Sequence, residues 1–130
     1  MITVKGIIHE EHFAVRLSSS TNEIIADEPI SAGGKDKGFS PTELLASSLA
    51  ACTSITVRMY ADRKHWPLEK IEVTVELERN VAENITHINR VVQLFGNLTG
   101  EQRSRLLQVA DHCPIHNILT NPINIKTSMV

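Results

Sequence analysis

One long helix-forming segment in the middle of the chain constrains the fold more than any other feature. Ser40 suits a helix N-cap, Pro41 suits the first helical turn, and Glu43 stands three residues after Ser40, as in a capping box. The residues that follow read LLASSLAACTSITVRMYADRKH. Trp66-Pro67 ends the pattern, because proline disfavours helical geometry in the residue before it. The sequence therefore predicts a helix that begins after Ser40 and ends near residue 65.

The first half of this helix is apolar or small on nearly every side. One stripe recurs at spacings of three or four residues and consists of Leu45, Leu49, Cys52, Thr56 and Met59. A helix that is apolar all round is typical of the buried centre of a domain. We therefore expect the rest of the chain to pack around this helix.

Strand patterns lie on both sides of the helix. Short alternating runs precede it: ITVKGII, HFAVRLS and EIIAD, followed by a Gly-rich loop, PISAGGKDKGFSP. After it, KIEVTVELER and THINRVVQLFGN read as two paired strands, TGEQRSRLLQVADH as a helix with a capping box from Thr99 to Gln102, and INIKTSMV as a terminal strand. This order predicts an α+β fold with mostly antiparallel sheet, formed as a single domain over residues 1–130.

Composition excludes several classes of function. A chain of 130 residues with 42% hydrophobic side chains can bury roughly two-thirds of its unfolded surface in one core. Its 13 basic and 15 acidic residues nearly balance and its aromatic content is only 4%, which argues against a nucleic-acid partner. No apolar run is long enough for a signal peptide or a membrane span. We therefore predict a cytoplasmic protein with neither a membrane nor a nucleic acid as partner.

The chain has two cysteines, and the second is placed at a predicted helix start. Pro114 disfavours helical geometry at Cys113 and suits the first turn of a short helix, PIHNILT. Cys113 is then the N-cap, close to free backbone N–H groups and the positive end of the helix dipole. Such a position favours a thiolate. The alternative is a small residue buried at a helix corner.

Cys52 lies within the apolar helix, where a cysteine that only packs in the core is common. A reactive Cys52 needs a positive charge from elsewhere, and Arg16 on a strand is one candidate. Three further roles stay open at this point. They are a disulfide with Cys113, which a reducing compartment disfavours; a zinc site with His112, Cys113 and His116; and a redox pair with Cys113.

Two motifs together resemble one known family. The stretch SPTELLASSLAACTS, followed some sixty residues later by ADHCPIHNIL, resembles the OsmC/Ohr family of osmotically inducible and organic hydroperoxide resistance proteins. The likeness covers nearly the whole chain and includes the Gly-rich segment before the helix. It implies an OsmC-like fold, with mostly antiparallel sheets around a long buried central helix, in an intertwined homodimer.

The resemblance also implies roles for residues. Cys52 would be the thiolate that attacks a hydroperoxide, Cys113 would form a disulfide with the oxidised Cys52, and a thiol or dithiol reductant would restore both, with no cofactor and no metal. In the family's well-studied peroxidases, a glutamate directly follows the proline and orients a catalytic arginine. Here Thr42 holds that position and the carboxylate, Glu43, is shifted by one residue, while Arg16 is the best candidate for the arginine.

This departure indicates an OsmC-like branch rather than the Ohr type. It also leaves a second interpretation open. The chain would then be a small-molecule-binding protein that kept the interfacial pocket of the family without its catalysis.

Overall fold

A computed structural model describes all 130 residues, which form two compact units, residues 1–45 and 46–130. The first unit contains three antiparallel strands in the order β1-β2-β3: β1 (Lys5–Ile7), β2 (Val15–Ser18) and β3 (Glu23–Ala26). All three predicted N-terminal strands are thereby confirmed, each shorter than its alternating run.

The Gly-rich loop of this unit is organised around one buried carboxylate. Asp27 is 2% exposed. Its Oδ1 accepts hydrogen bonds from the backbone N–H of Phe13 at 3.1 Å and of Glu28 at 2.7 Å. Its Oδ2 accepts from the backbone N–H of Lys35 at 3.3 Å and of Lys37 at 3.2 Å. Burial opposes ionisation of Asp27, but the four donors outweigh it and lower the pKa of this carboxyl.

The loop is also held from outside by an ion-pair cluster. Glu11 Oε1 lies 2.8 Å from Lys35 Nζ and 2.9 Å from Lys37 Nζ. The two ammonium groups, through hydrogen bonds and charge, lower the pKa of Glu11 from 4.5 to about 2. The segment that the sequence predicts only as a Gly-rich loop therefore has a defined conformation.

The long helix α1 spans Pro41–Arg63, which confirms the predicted segment. Its capping box is present, since Ser40 N donates to Glu43 Oε1 at 3.0 Å and Glu43 N donates to Ser40 Oγ at 3.2 Å. After it come an antiparallel hairpin and two helices. Their bounds are β4 Leu68–Asn80, β5 Ile85–Gly96, α2 Gly100–Ala110 and α3 Pro114–Leu119. The predicted capping box of α2, between Thr99 and Gln102, is also confirmed.

The core of the second unit lies where α1, α2 and the base of the hairpin meet. Its buried members are Val57, Ala61, Leu68, Leu106, Val109 and Ala110. Alternate residues of β5 point inward to this core, as expected for a strand that is buried on one face only. With this unit, the α+β class predicted from the sequence is confirmed.

The burial of α1 differs from the sequence-based prediction. Only one stripe at spacings of four is fully buried within the chain: Leu49, Thr53, Val57 and Ala61. Of the predicted stripe, Cys52 and Thr56 are half-buried, while Leu45 and Met59 are exposed. The reason is that a single core packs against one face of the helix and leaves its other apolar residues outside. By length and composition α1 alone could cross a membrane, a criterion that the core helix of a soluble protein also meets.

The predicted C-terminal strand is wrong. Residues 122–130 form neither helix nor strand, and the second sheet contains only β4 and β5. Ile123 and Ile125, the apolar residues of the predicted alternation, are both exposed. Alternation favours a strand only where a partner edge supplies hydrogen bonds, and this segment pairs with no edge within its own chain.

Candidate functional site

Cys113 is the N-cap of α3, as the sequence predicts. Its backbone is extended (φ −71°, ψ 146°), and its Sγ accepts a hydrogen bond from the backbone N–H of His116 at 3.3 Å. Pro114 opens the helix because its fixed φ suits the first turn and it has no N–H to satisfy. The cysteine itself is fully buried. The chain therefore combines an inaccessible sulfur with a hydrogen-bond donor aimed at it.

Cys52 lies on α1, half-buried, directly before Thr53. The Oγ1 of Thr53 lies 3.8 Å from Cys113 Sγ. Successive helical residues project about 100° apart, so it is Thr53 that faces Cys113, with Cys52 on the adjoining side of the helix. Both cysteines are free thiols in the structure.

Arg90 is the centre of the polar cluster around Cys113. It lies on the inward face of β5, opposite Val75 on β4, and its side chain is only 11% exposed. Its Nη1 donates to Thr53 Oγ1 at 3.2 Å, and its Nη2 donates to Asp111 Oδ1 at 2.6 Å. The same Nη2 lies 3.0 Å from His116 Nδ1.

These contacts determine the tautomer of His116. A guanidinium group has only donors, so His116 Nδ1 must be the acceptor in its contact with Arg90. The imidazole hydrogen is then on Nε2. His116 is consequently held at two points, by Arg90 through its ring and by Cys113 Sγ through its backbone N–H.

A cavity of about 450 Å³ adjoins this cluster. Its polar wall includes Arg90, Asp111 and His116, which belong to the cluster itself. Its apolar wall is formed by Leu49, Ile88, Val92, Leu107, Ala110 and Leu119. Neither cysteine is among the residues that line it. The cavity can accept a small molecule that has both an apolar and a polar part.

The structure places the other two predicted site residues as follows. Arg16 lies on β2 with its side chain 65% exposed, and its Nε is 3.3 Å from Glu23 Oε1. Glu43 is the capping-box partner of Ser40, whose backbone N–H is the main reason that the pKa of Glu43 is lowered. Thr42, in the position where the resemblance would have a glutamate, is an exposed residue of the first turn of α1.

The structure does not contain a ligand set for the zinc site that the sequence left open. No group of three His, Cys, Asp or Glu side chains is arranged to hold a metal ion. His116, one of the candidate ligands, presents its Nδ1 to a permanent cation, Arg90.

Arg90 was missed by the reasoning from sequence, although the sequence carries a signal for it. Along β5 the inward positions are Ile88, Arg90, Val92 and Leu94, so the arginine interrupts an otherwise apolar face. A charge in such a position is almost never fully buried unless it is paired. An arginine on this apolar face therefore predicts a polar partner inside the fold, but the sequence pattern does not identify which residue that partner is.

Solved structures share this fold. The OsmC-like protein from Mycoplasma pneumoniae matches at a TM-score of 0.79 and 23% identity, over 92% of this chain and 86% of that one. The organic hydroperoxide resistance protein OsmC from Legionella pneumophila matches at 0.65 and 18%, over 92% and 89%. The organic hydroperoxide resistance protein OhrB of Bacillus subtilis matches at 0.63 and 20%, over 97% and 95%. At these identities the likeness shows the fold alone.

Sequence comparison is more specific. No curated protein sequence matches the chain. A family model does, and its description is OsmC-like protein. The match covers residues 34–128, which include α1 and both cysteine motifs. The chain therefore belongs to the OsmC/Ohr family.

Proposed function

We propose that this protein is a thiol-dependent hydroperoxide reductase in which Cys52 and Cys113 form a redox pair. One observation carries the proposal: the half-buried Cys52 is followed by Thr53, whose hydroxyl oxygen contacts the fully buried Cys113 sulfur. An accessible thiol and an inaccessible one thus occupy neighbouring positions. That arrangement suits a division of roles between a thiol that meets the oxidant and a thiol that resolves the product.

The reaction has three balanced steps. The Cys52 thiolate attacks one oxygen of the hydroperoxide ROOH, the O–O bond breaks, and with one proton the products are Cys52 sulfenic acid and the alcohol ROH. The Cys113 thiol then attacks the sulfenic sulfur, which forms the disulfide and releases water. A dithiol reductant finally reduces the disulfide and is itself oxidised to a disulfide.

Family membership supports the choice of substrate. Two of the structural neighbours are named organic hydroperoxide resistance proteins. We propose the same substrate class for this chain, with a role in defence against oxidative stress. Arg16 and Glu43 remain candidates for activating Cys52, and nothing else in the proposal depends on them.

We also propose that the chain works as a homodimer in the cytoplasm. Support for the dimer comes from the apolar side chains that α1 leaves outside the core, among them Ile55 and Met59. A second copy that covers these side chains would complete the burial expected of an apolar central helix. The family match runs across residue 45, which supports a single OsmC-like domain over residues 1–130.

A second function is favoured by the cavity beside Arg90. It is a preformed site with an apolar wall and a polar end, and neither cysteine lines it. A protein that binds a small molecule there, without peroxide chemistry, has the same fold and the same cavity. The behaviour of the cysteines separates the two functions.

The test is a stoichiometric titration of the reduced protein with peroxide. Free thiols are counted after each addition, and any disulfide is located by mass spectrometry. We expect rapid loss of both thiols into a Cys52–Cys113 disulfide, faster with an organic hydroperoxide than with hydrogen peroxide. Cys52→Ser serves as the control and should lose this reaction. Oxidation of the wild-type protein no faster than that of free cysteine would contradict the proposal and favour the binding protein.

A further inference from the structure

The hydroxyl of Thr53 has more possible partners than it has hydrogens. Its Oγ1 lies 2.7 Å from the carbonyl oxygen of Leu49, 3.8 Å from Cys113 Sγ and 3.2 Å from Arg90 Nη1. A hydroxyl has one hydrogen to donate and two lone pairs to accept. Arg90 can only donate, so one lone pair of Thr53 is always taken. The single hydrogen must go either to Leu49 or to Cys113.

The protonation of Cys113 decides between these two arrangements. A Cys113 thiol can donate its S–H to Thr53 Oγ1, and the Thr53 hydrogen then goes to the Leu49 carbonyl. A thiolate has no hydrogen to give, so the Thr53 O–H can turn to the sulfur. The Leu49 carbonyl does not lose its last partner, because within α1 it also accepts the backbone N–H of Thr53. The exchange therefore leaves no buried polar group unsatisfied.

We propose that Thr53, oriented by Arg90, is the hydrogen-bond donor that stabilises Cys113 as the leaving thiolate when the Cys52–Cys113 disulfide is reduced. This inference rests on the redox pair of the proposed function. Thr53 touches the reacting sulfur and is a catalytic residue for reduction. Arg90 acts through Thr53 and is a positioning residue. The backbone N–H of His116, 3.3 Å from the sulfur, is the second donor.

Accessibility sets the direction of the exchange. Within one chain, an external thiolate can reach the half-buried Cys52 but not the fully buried Cys113. We propose that Cys52 stays open at the edge of the α1 face that the second copy covers. The sulfur of the external thiolate forms a new S–S bond to Cys52 Sγ, the old S–S bond breaks, and the bonding electron pair goes to Cys113 Sγ. The second thiol of a dithiol then attacks the external sulfur and releases Cys52. A leaving thiolate held by two donors departs faster than one without them.

The first experiment measures reduction separately from peroxide oxidation. The disulfide is formed with diamide in four proteins: wild type, Thr53→Val, Thr53→Ser and Ser54→Ala. Recovery of free thiols in dithiothreitol is then followed. Thr53→Val keeps the shape but loses the donor, and reduction should slow by about tenfold, as expected for one hydrogen bond to a charged group. Thr53→Ser keeps the hydroxyl and should stay within about twofold of wild type.

Ser54→Ala is the matched control for the helix. Ser54 Oγ donates to the Ala50 carbonyl at 2.8 Å, the same type of side-chain bond that Thr53 makes, but it makes no hydrogen bond to a cysteine. Its removal should leave the reduction rate unchanged. A Thr53→Val protein reduced at the wild-type rate would overturn the inference, and so would a trapped mixed disulfide on Cys113 instead of Cys52.

The role of Arg90 is tested by a double-mutant cycle in a Cys52→Ser background. The ultraviolet absorbance of the Cys113 thiolate is compared for Thr53→Val, Arg90→Met and the two combined. If Arg90 acts through Thr53, either change lowers the thiolate signal and the combination lowers it no further. Independent, additive losses would contradict the positioning role.

The outcomes also separate this inference from the proposed function. A disulfide that forms with diamide but not with peroxide would contradict the proposed peroxidase activity. The reduction rates would still test the role of Thr53 as a hydrogen-bond donor to Cys113. If no Cys52–Cys113 disulfide forms with either oxidant, both proposals fail.

Discussion

Two buried polar centres, Asp27 in residues 1–45 and Arg90 in residues 46–130, are satisfied in opposite ways. The Asp27 carboxylate receives four backbone N–H groups, all from its own loop or a neighbouring strand end. The Arg90 guanidinium donates to side-chain atoms of Thr53 and Asp111, and it faces His116. Both centres hold a group that is costly to bury without partners.

The difference indicates different roles. Backbone donors can be aligned only if the loop holds one conformation, so Asp27 determines the shape of the Gly-rich segment. Side-chain partners can change their hydrogens and rotamers, and two of the residues that Arg90 contacts, Thr53 and His116, also contact the Cys113 sulfur. We therefore expect substitutions at the Arg90 centre to change chemistry and substitutions at the Asp27 centre to change only structure.

The largest effect should come from Cys113→Ser. Without a resolving thiol, Cys52 sulfenic acid accumulates when peroxide is added in the absence of external thiol, and turnover with a dithiol slows because the reductant itself must attack the sulfenic acid. A reagent that traps sulfenic acids measures the first result, and peroxide consumption in the presence of a dithiol measures the second. Asp27→Asn is the matched comparison, and its folded fraction should turn over normally. Turnover by Cys113→Ser at the wild-type rate would break the assignment of chemistry to the Arg90 centre.

Arg90→Met should have the next largest effect. The change keeps most of the side-chain volume, but it leaves Thr53 and His116 without their donor, and we expect a loss of about 2 kcal/mol in the free energy of unfolding. Urea unfolding measures the loss. Arg16→Met is the control, because an exposed arginine paired to an exposed glutamate should cost no more than about 0.5 kcal/mol. Equal losses at the two arginines would show that burial of Arg90 does not matter.

Asp27→Asn should act locally. An amide in place of the carboxylate has one acceptor oxygen instead of two, so the backbone N–H groups of Lys35 and Lys37 lose their partner. Hydrogen exchange at these two amides should speed up by about tenfold or more. Amides of α2 should keep their rates. A uniform increase over the whole chain would mean that Asp27 supports more than its loop.

The smallest effect should be the acid sensitivity of the Glu11 cluster. The pKa of Glu11 is lowered from 4.5 to about 2, so its stabilisation is complete above its ordinary pKa and is lost as the pH falls through about 2. The protection factors of the loop amides, which are corrected for the intrinsic exchange rate at each pH, should fall more in wild type than in Glu11→Gln as the pH is lowered between these two values. High salt should reduce the difference, because the cluster is exposed. Identical profiles for the two proteins would contradict this prediction.

Local patterns predict much of the fold. The capping boxes at Ser40 and Thr99 and the cap at Cys113 depend on residues three positions apart, and all three are present. The alternation of β4 and β5 and their antiparallel pairing are present as well. The prediction of a C-terminal strand was wrong, because an alternating pattern is local and does not supply the partner edge that a strand needs.

The site depends on longer separations. Arg90 is 37 residues from Thr53, 21 from Asp111 and 26 from His116, and Thr53 is 60 residues from Cys113. Sequence reasoning could identify Cys113 as an N-cap, but not the threonine that faces it. It named Arg16 as the arginine candidate, which stays a prediction, and it did not identify Arg90, which contacts Thr53 and His116.

Local sequence is sufficient for the α+β class, the helix boundaries, the capping of α1, α2 and α3, and the two cysteine motifs of the OsmC/Ohr family, because these depend on neighbours within one or two turns. Three features required the folded chain: the face of α1 that is buried, the contact of Thr53 rather than Cys52 with Cys113, and the contact of Arg90 with Thr53. Those outcomes depend on which side chains of distant segments meet in the core, and no local periodicity contains that information.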